Sequence, residues 1–145
     1  MSGFLLDTNV LSEFSRRRGP DRGVRDWLEA AEPRSLYANV LTFGEIRFGV
    51  GLLPPSKRRA ELEEWLVRDL CEWFEGRILP VDQSTAEHWG LLRAQARAKG
   101  HPLSVIDGLL AATALQHGLS IVSRNVSDFS SLGVTVVNPW KGSGR

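Results

Sequence analysis

Three acids stand where acids are costly: Asp7, Glu45 and Asp107. Asp7 closes the apolar run Phe4-Leu5-Leu6. Glu45 has Leu41 and Phe48 as helical neighbours. Asp107 falls on a helix face with Leu103, Leu110, Ala111 and Ala114. A lone carboxylate in apolar surroundings is unfavourable unless it is paired, protonated or bound to a cation. Three such acids from distant parts of a short chain point to one shared site. Clustered oxygen ligands are what magnesium or manganese takes. Such a centre activates water and stabilises charge on phosphoryl oxygens. The implied chemistry is metal-assisted hydrolysis of phosphodiesters. Asn125 and Asp128 follow a further apolar run at 119–123, and either can complete the set. Arg124, between that run and Asn125, is the cation best placed for a phosphate.

Each acid also has a plainer role open to it. Asp7 or Thr8 can cap the helix that follows. Thr42 and Glu45 have the spacing of a capping box. Ser104 and Asp107 suit the first turn of a helix, where the macrodipole favours negative charge. Asn125 and Asp128 are ordinary turn residues. These roles can coexist with ligation, and the weight lies in their combination.

The elements that must position these residues follow from the hydrophobic pattern. Short apolar runs at 3–6, 35–38, 77–81, 119–123 and 134–137 are expected as strands. Helices are expected over 9–17, from Asp21 to Pro33, from Thr42 to about Leu52, from Ser56 to about Phe74, from Ser84 to about Lys99, and from Ser104 to His117. Helices alternating with short strands predict an α/β fold, with a central, mainly parallel sheet of about four to five strands flanked by helices. In such sheets ligands bind outside the carboxyl ends of the strands, where Asp7 and Asn125 would lie.

A chain of 145 residues matches one ordinary domain, and no linker divides 1–145. The formal net charge of +1 gives no bulk attraction to nucleic acid. Basic residues cluster only locally, at Arg16-Arg17-Arg18 and Lys57-Arg58-Arg59. Such runs are usually solvated, and contact phosphates only if the fold sets them beside the acids. One cysteine, Cys71, excludes an intrachain disulfide and is expected in the core. His88, His101 and His117 lack metal-ligand spacing. No phosphate-binding glycine loop, nucleophile elbow or Cys-x-x-Cys pair is present. No signal sequence or membrane span is expected, so the default location is the cytoplasm.

Taken in order, Leu-Leu-Asp7-Thr-Asn-Val-Leu-Ser, Leu-Thr-Phe-Gly-Glu45-Ile-Arg-Phe-Gly, Ile-Asp107-Gly-Leu-Leu-Ala-Ala-Thr-Ala and Ser-Arg-Asn125-Val-Ser-Asp128-Phe resemble the PIN-domain family. Within it they resemble the VapC-type toxins of bacterial toxin–antitoxin pairs. The resemblance implies a magnesium- or manganese-dependent endoribonuclease acting on cellular RNA, often transfer or ribosomal RNA. It also implies homodimerisation and inhibition by a small antitoxin protein. Asp7, Glu45 and Asp107 would be the metal-binding acids, and Thr8 and Asn9 would orient Asp7 or contact substrate. The family's fourth acid falls where this chain has Asn125, which carries no charge, and Asp128 is the nearest substitute. A catalytically weak module that binds RNA or a partner protein is the alternative. A phosphohydrolase with Asp7 as nucleophile is disfavoured, because Asn9 stands where such enzymes carry a second acid. The wide apolar stripe of the helix from Ser56, including Trp65 and Trp73, is expected to serve a dimer or an antitoxin groove.

Overall fold

A computed structural model describes residues 2–142. Five short strands form one parallel sheet: β1 (Phe4–Leu6), β2 (Leu36–Asn39), β3 (Ile78–Leu79), β4 (Ser120–Val122) and β5 (Val136–Val137). Their spatial order is β3-β2-β1-β4-β5. The chain thus builds outward from β1 in one direction, then returns to add β4 on its other side. Between β1 and β4 the order reverses, which is where open parallel sheets place ligands.

Helices cover the sheet. They are α1 (Thr8–Leu11), α2 (Arg22–Ala30), α3 (Val40–Gly51), α4 (Lys57–Glu64), α5 (Cys71–Trp73), α6 (Gln83–Ala98), α7 (Val105–His117), α8 (Val126–Ser130) and α9 (Pro139–Gly142). Two apolar clusters lie on the sheet. One gathers Leu6, Val10, Val24, Ile46, Leu66 and Phe74. The other gathers Leu5, Leu110, Ala111, Ala114, Ile121 and Phe129. Leu5 and Leu6 point to opposite clusters because successive strand side chains alternate faces. Both faces are covered, so β1 has to be apolar throughout until it reaches Asp7.

Several boundaries differ from the pattern in the sequence. The helix expected over 9–17 is a single α turn, tightened into a 3₁₀ segment over Ser12–Ser15. α3 starts at Val40, capped by Asn39, whose side chain accepts from the Leu41 N–H at 2.8 Å. Thr42 is therefore buried inside the helix, and the Thr42–Glu45 pair is not a capping box. α6 is opened by Asp82 with Thr85, two residues before the expected Ser84 with Glu87. The helix from Ser56 does continue toward Phe74, but it widens into a π segment over Trp65–Leu70. The Cys71 thiol there donates to the Leu66 carbonyl, five residues back, at 3.4 Å. The short helices α8 and α9 are not among the expected elements.

Candidate active site

Strand register sets the centre of the site. Leu6 pairs with Val122, and the Asp7 N–H bonds the Val122 carbonyl at 3.0 Å. Asp7 and Ser123 therefore leave their strands side by side at the reversal point. The Ser123 hydroxyl donates to Asp7 Oδ2 at 2.7 Å, and the Thr8 N–H donates to Oδ1 at 2.7 Å. The second bond makes Asp7 the N-cap of α1, so the capping role open to it is filled. Asn9 Nδ2 lies 3.5 Å from Asp7 Oδ2 and 3.3 Å from Ser123 Oγ. Asn9 Oδ1 faces the Arg124 N–H at 3.4 Å.

Asp7 is buried, at 6% exposure, and burial lifts its carboxyl from the ordinary 3.8 to about 6. The bonds from Ser123 and Thr8 pull it down. The like charges of Asp107 and Glu45 push it up. Those two acids thus belong to the electrostatic surroundings of Asp7 although they come from α7 and α3.

Glu45 accepts a hydrogen bond from the Thr8 hydroxyl, which ties α3 to the residue after Asp7. Asp107 sits in the first turn of α7, where Ser104 Oγ accepts from its N–H at 3.2 Å. Asn39 connects the two helices. Besides capping α3, its side-chain amide donates to Thr113 Oγ1 of α7 at 2.8 Å in the fully buried interior. Close packing of α6 on α7 requires Gly108, because a Cβ there would stand 2.8 Å from Trp89 Cδ1.

The remaining expected residues are less central. The Asn125 N–H donates to Ser123 Oγ at 3.0 Å, and its exposed side chain makes no hydrogen bond among the described residues. Asp128 is exposed in the first turn of α8 and is not among the groups acting on Asp7. It does line a cavity of about 500 Å³ with Asp107, Ser104 and Lys99. The Arg124 guanidinium lies 5.2 Å over the Trp140 ring, a cation–π contact. Ser123 and Asn39 escaped the sequence analysis. A serine at a strand end and an asparagine before a helix look like ordinary punctuation.

Among the described residues, no three acids, histidines or cysteines stand together as a preformed metal cluster. The acids share a field without sharing a coordination sphere. The donor set still fits a hard cation: three carboxylates, no thiolate and no imidazole. Asp7 has about four acceptor positions, of which its two short hydrogen bonds use two. The repulsion on Asp7 is what a divalent cation relieves.

Known proteins resemble this chain over nearly its whole length. The PIN domain family model matches residues 4–133. The chain is 36% identical over 137 residues to VapC ribonuclease Y4jK of Sinorhizobium fredii, covering 94% of this chain and 97% of that protein. The crystal structure of FitAcB from Neisseria gonorrhoeae superposes with a TM-score of 0.89 at 38% identity, covering 94% of this chain and 98% of that one. A toxin–antitoxin complex from Klebsiella pneumoniae gives a TM-score of 0.69 at 28% identity, covering 94% and 98%.

Proposed function

Because this chain belongs to the PIN-domain family, we propose that it is a metal-dependent endoribonuclease and the toxin of a toxin–antitoxin pair. The observation that carries the reading is the buried Asp7 at the reversal point of the sheet, with the Thr8 hydroxyl beside it holding Glu45 and the like charge of Asp107 reaching it. Asp7 and Asp107, with Glu45, would hold magnesium or manganese. The bound cation supplies charge for the phosphoryl oxygens and acidifies water.

The chain's own residues do the positioning. Ser123 and the Thr8 N–H fix both oxygens of Asp7 and favour its ionised form. The Thr8 hydroxyl holds the Glu45 carboxylate. Asn39 locks α3 to α7 and so holds Glu45 and Asp107 in one frame. Asn125 braces Ser123 through its N–H, which needs no charge on its side chain. Asn9 and Arg124 border the site for substrate.

An apolar groove of about 560 Å³ suits the antitoxin. Leu11, Phe14, Leu28, Trp65 and Trp73 line it, and Phe14 and Trp73 remain 39% and 45% exposed. An amphipathic helix from the partner would lay its apolar face there. Homodimerisation is part of the same reading, with exposed Phe48 of α3 and Leu52 at its C-cap offering apolar surface. Among the described residues no helix is long and apolar enough to cross a membrane. The proposed place of action is the cytoplasm, where cellular RNA is found.

Induced expression in a bacterial host tests the toxin reading. Wild-type protein should arrest growth, and Asp7→Asn and Asp107→Asn should not, at equal soluble yield. Arrest by both variants would contradict it.

A further inference from the structure

The two basic runs converge beside Glu45. Arg17 from the first and Arg58 from the second line one cavity of about 410 Å³ with Glu45 and Gly49. Their neighbours are engaged within the chain. Arg16 pairs with Glu13 at 2.9 Å. Arg59 donates to the Leu53 carbonyl at 3.0 Å and approaches Glu63 at 3.9 Å. Arg58 donates to the Ser15 carbonyl, which ties the runs together across the cavity wall. Among the described residues neither Arg17 nor Arg58 is paired with a carboxylate. Guanidinium groups left without an acid partner beside an anion-processing centre are suited to phosphate.

Gly49 gives the second observation. It lies one turn after Glu45 on α3, is exposed, and has nothing within 4 Å of where a Cβ would stand. A glycine inside a helix is unfavourable relative to alanine. No turn, close approach or positive φ in this chain requires one there. Its missing side chain keeps the cavity open above an apolar floor that includes Ile46 and Val50.

We propose that this cavity is a nucleotide subsite adjoining the acid centre. Arg17 and Arg58 take a backbone phosphate, and the floor exposed by Gly49 takes the adjoining sugar and base of an RNA strand that runs on toward Glu45. The proposal rests on the ribonuclease reading and adds where the strand lies beside the scissile bond.

The test is fluorescence anisotropy of fluorescein-labelled bulk transfer RNA with the full chain. Chelator is present to prevent turnover, and the titration is repeated at several salt concentrations. Arg17→Ala should weaken binding several-fold and make the logarithmic salt slope shallower by about 0.7, the share of one single-strand phosphate. Gly49→Gln should weaken binding with the slope unchanged, while its thermal melt is no lower than that of the wild type. In parallel cleavage assays Arg17→Ala should raise KM and leave kcat in place. Unchanged affinity and slope in both variants would overturn the subsite and assign the cavity to a protein contact, even if the wild type cleaves RNA. Arg17-dependent binding without any cleavage by the wild type would overturn the ribonuclease reading and leave the subsite standing.

Discussion

The Ser123 hydroxyl donates to Asp7 Oδ2 at 2.7 Å, joining residues 116 apart in sequence at the ends of adjacent parallel strands. The bond favours the charged carboxylate against the burial that disfavours it. Replacing Ser123 by Ala therefore raises the Asp7 pKa further. The acid limb of the pH–rate profile should move to higher pH, with most activity lost on the acid side. Stability should fall by about 1 kcal/mol for the lost hydrogen bond. Rates across a pH series, with a denaturant melt, check both; an unmoved acid limb would remove Ser123 from the positioning role.

Asp7 itself trades stability for function. Its folded pKa of about 6 lies above the ordinary 3.8, so the native state binds the proton more tightly than the unfolded state. Stability therefore falls as pH rises through that window and is regained on acidification, by at most about 3 kcal/mol. In chelator, Asp7→Asn should be more stable than the wild type near neutral pH and equal to it below about pH 4. It should also be inactive. Denaturant titrations of both proteins across pH measure this, and equal stability at neutral pH would contradict the buried charge.

Asn39 should matter for structure and chemistry together. Asn39→Ala removes the cap on Leu41 and the bond to Thr113 from a fully buried position. The expected loss is about 2–3 kcal/mol. Because α3 carries Glu45 and α7 carries Asp107, kcat should drop even where the variant is fully folded. A variant with lowered melting temperature and wild-type kcat would confine Asn39 to a capping role.

Gly108→Ala tests the seat of Asp107. The added methyl would meet Trp89 Cδ1 at 2.8 Å and Leu103 Cδ2 at 3.0 Å. The Trp89 ring, whose buried Nε1 has no hydrogen-bond partner among the described residues, has to move. Overpacking of this kind costs about 1–3 kcal/mol, partly offset by better helix propensity. Thermal denaturation and turnover together should show a destabilised protein with reduced kcat.

What the sequence made legible was whatever the chain states locally and expensively. Asp7 after three apolar residues and Asp107 on an alanine-rich face are both conspicuous, and the charge of the second acts on the first. The parallel α/β sheet follows from short apolar runs alternating with helices. Helix starts were less legible, because competing caps stand within three residues of each other. Thr42 with Glu45 has the spacing of a box, yet Thr42 is buried and the Asn39 side chain, accepting from the Leu41 N–H, sets the start at Val40. Ser123 was illegible for a different reason. Its role depends on register with a strand more than a hundred residues away, and nothing beside it in sequence records that pairing. The convergence of Arg17 and Arg58 has the same origin, since two ordinary basic runs become a site only once α3 and α4 are packed.

The central claim is that Asp7, Glu45 and Asp107 form a metal-dependent centre that cuts RNA. Its most direct test is incubation of a total cellular RNA pool with purified protein in magnesium, in manganese and in chelator, with Asp107→Asn alongside, and sequencing of the new ends. The expected result is a discrete set of cuts that needs metal and disappears in the variant. Cuts that persist in chelator or in Asp107→Asn, or no cuts by a folded wild-type protein freed of any partner, would contradict it.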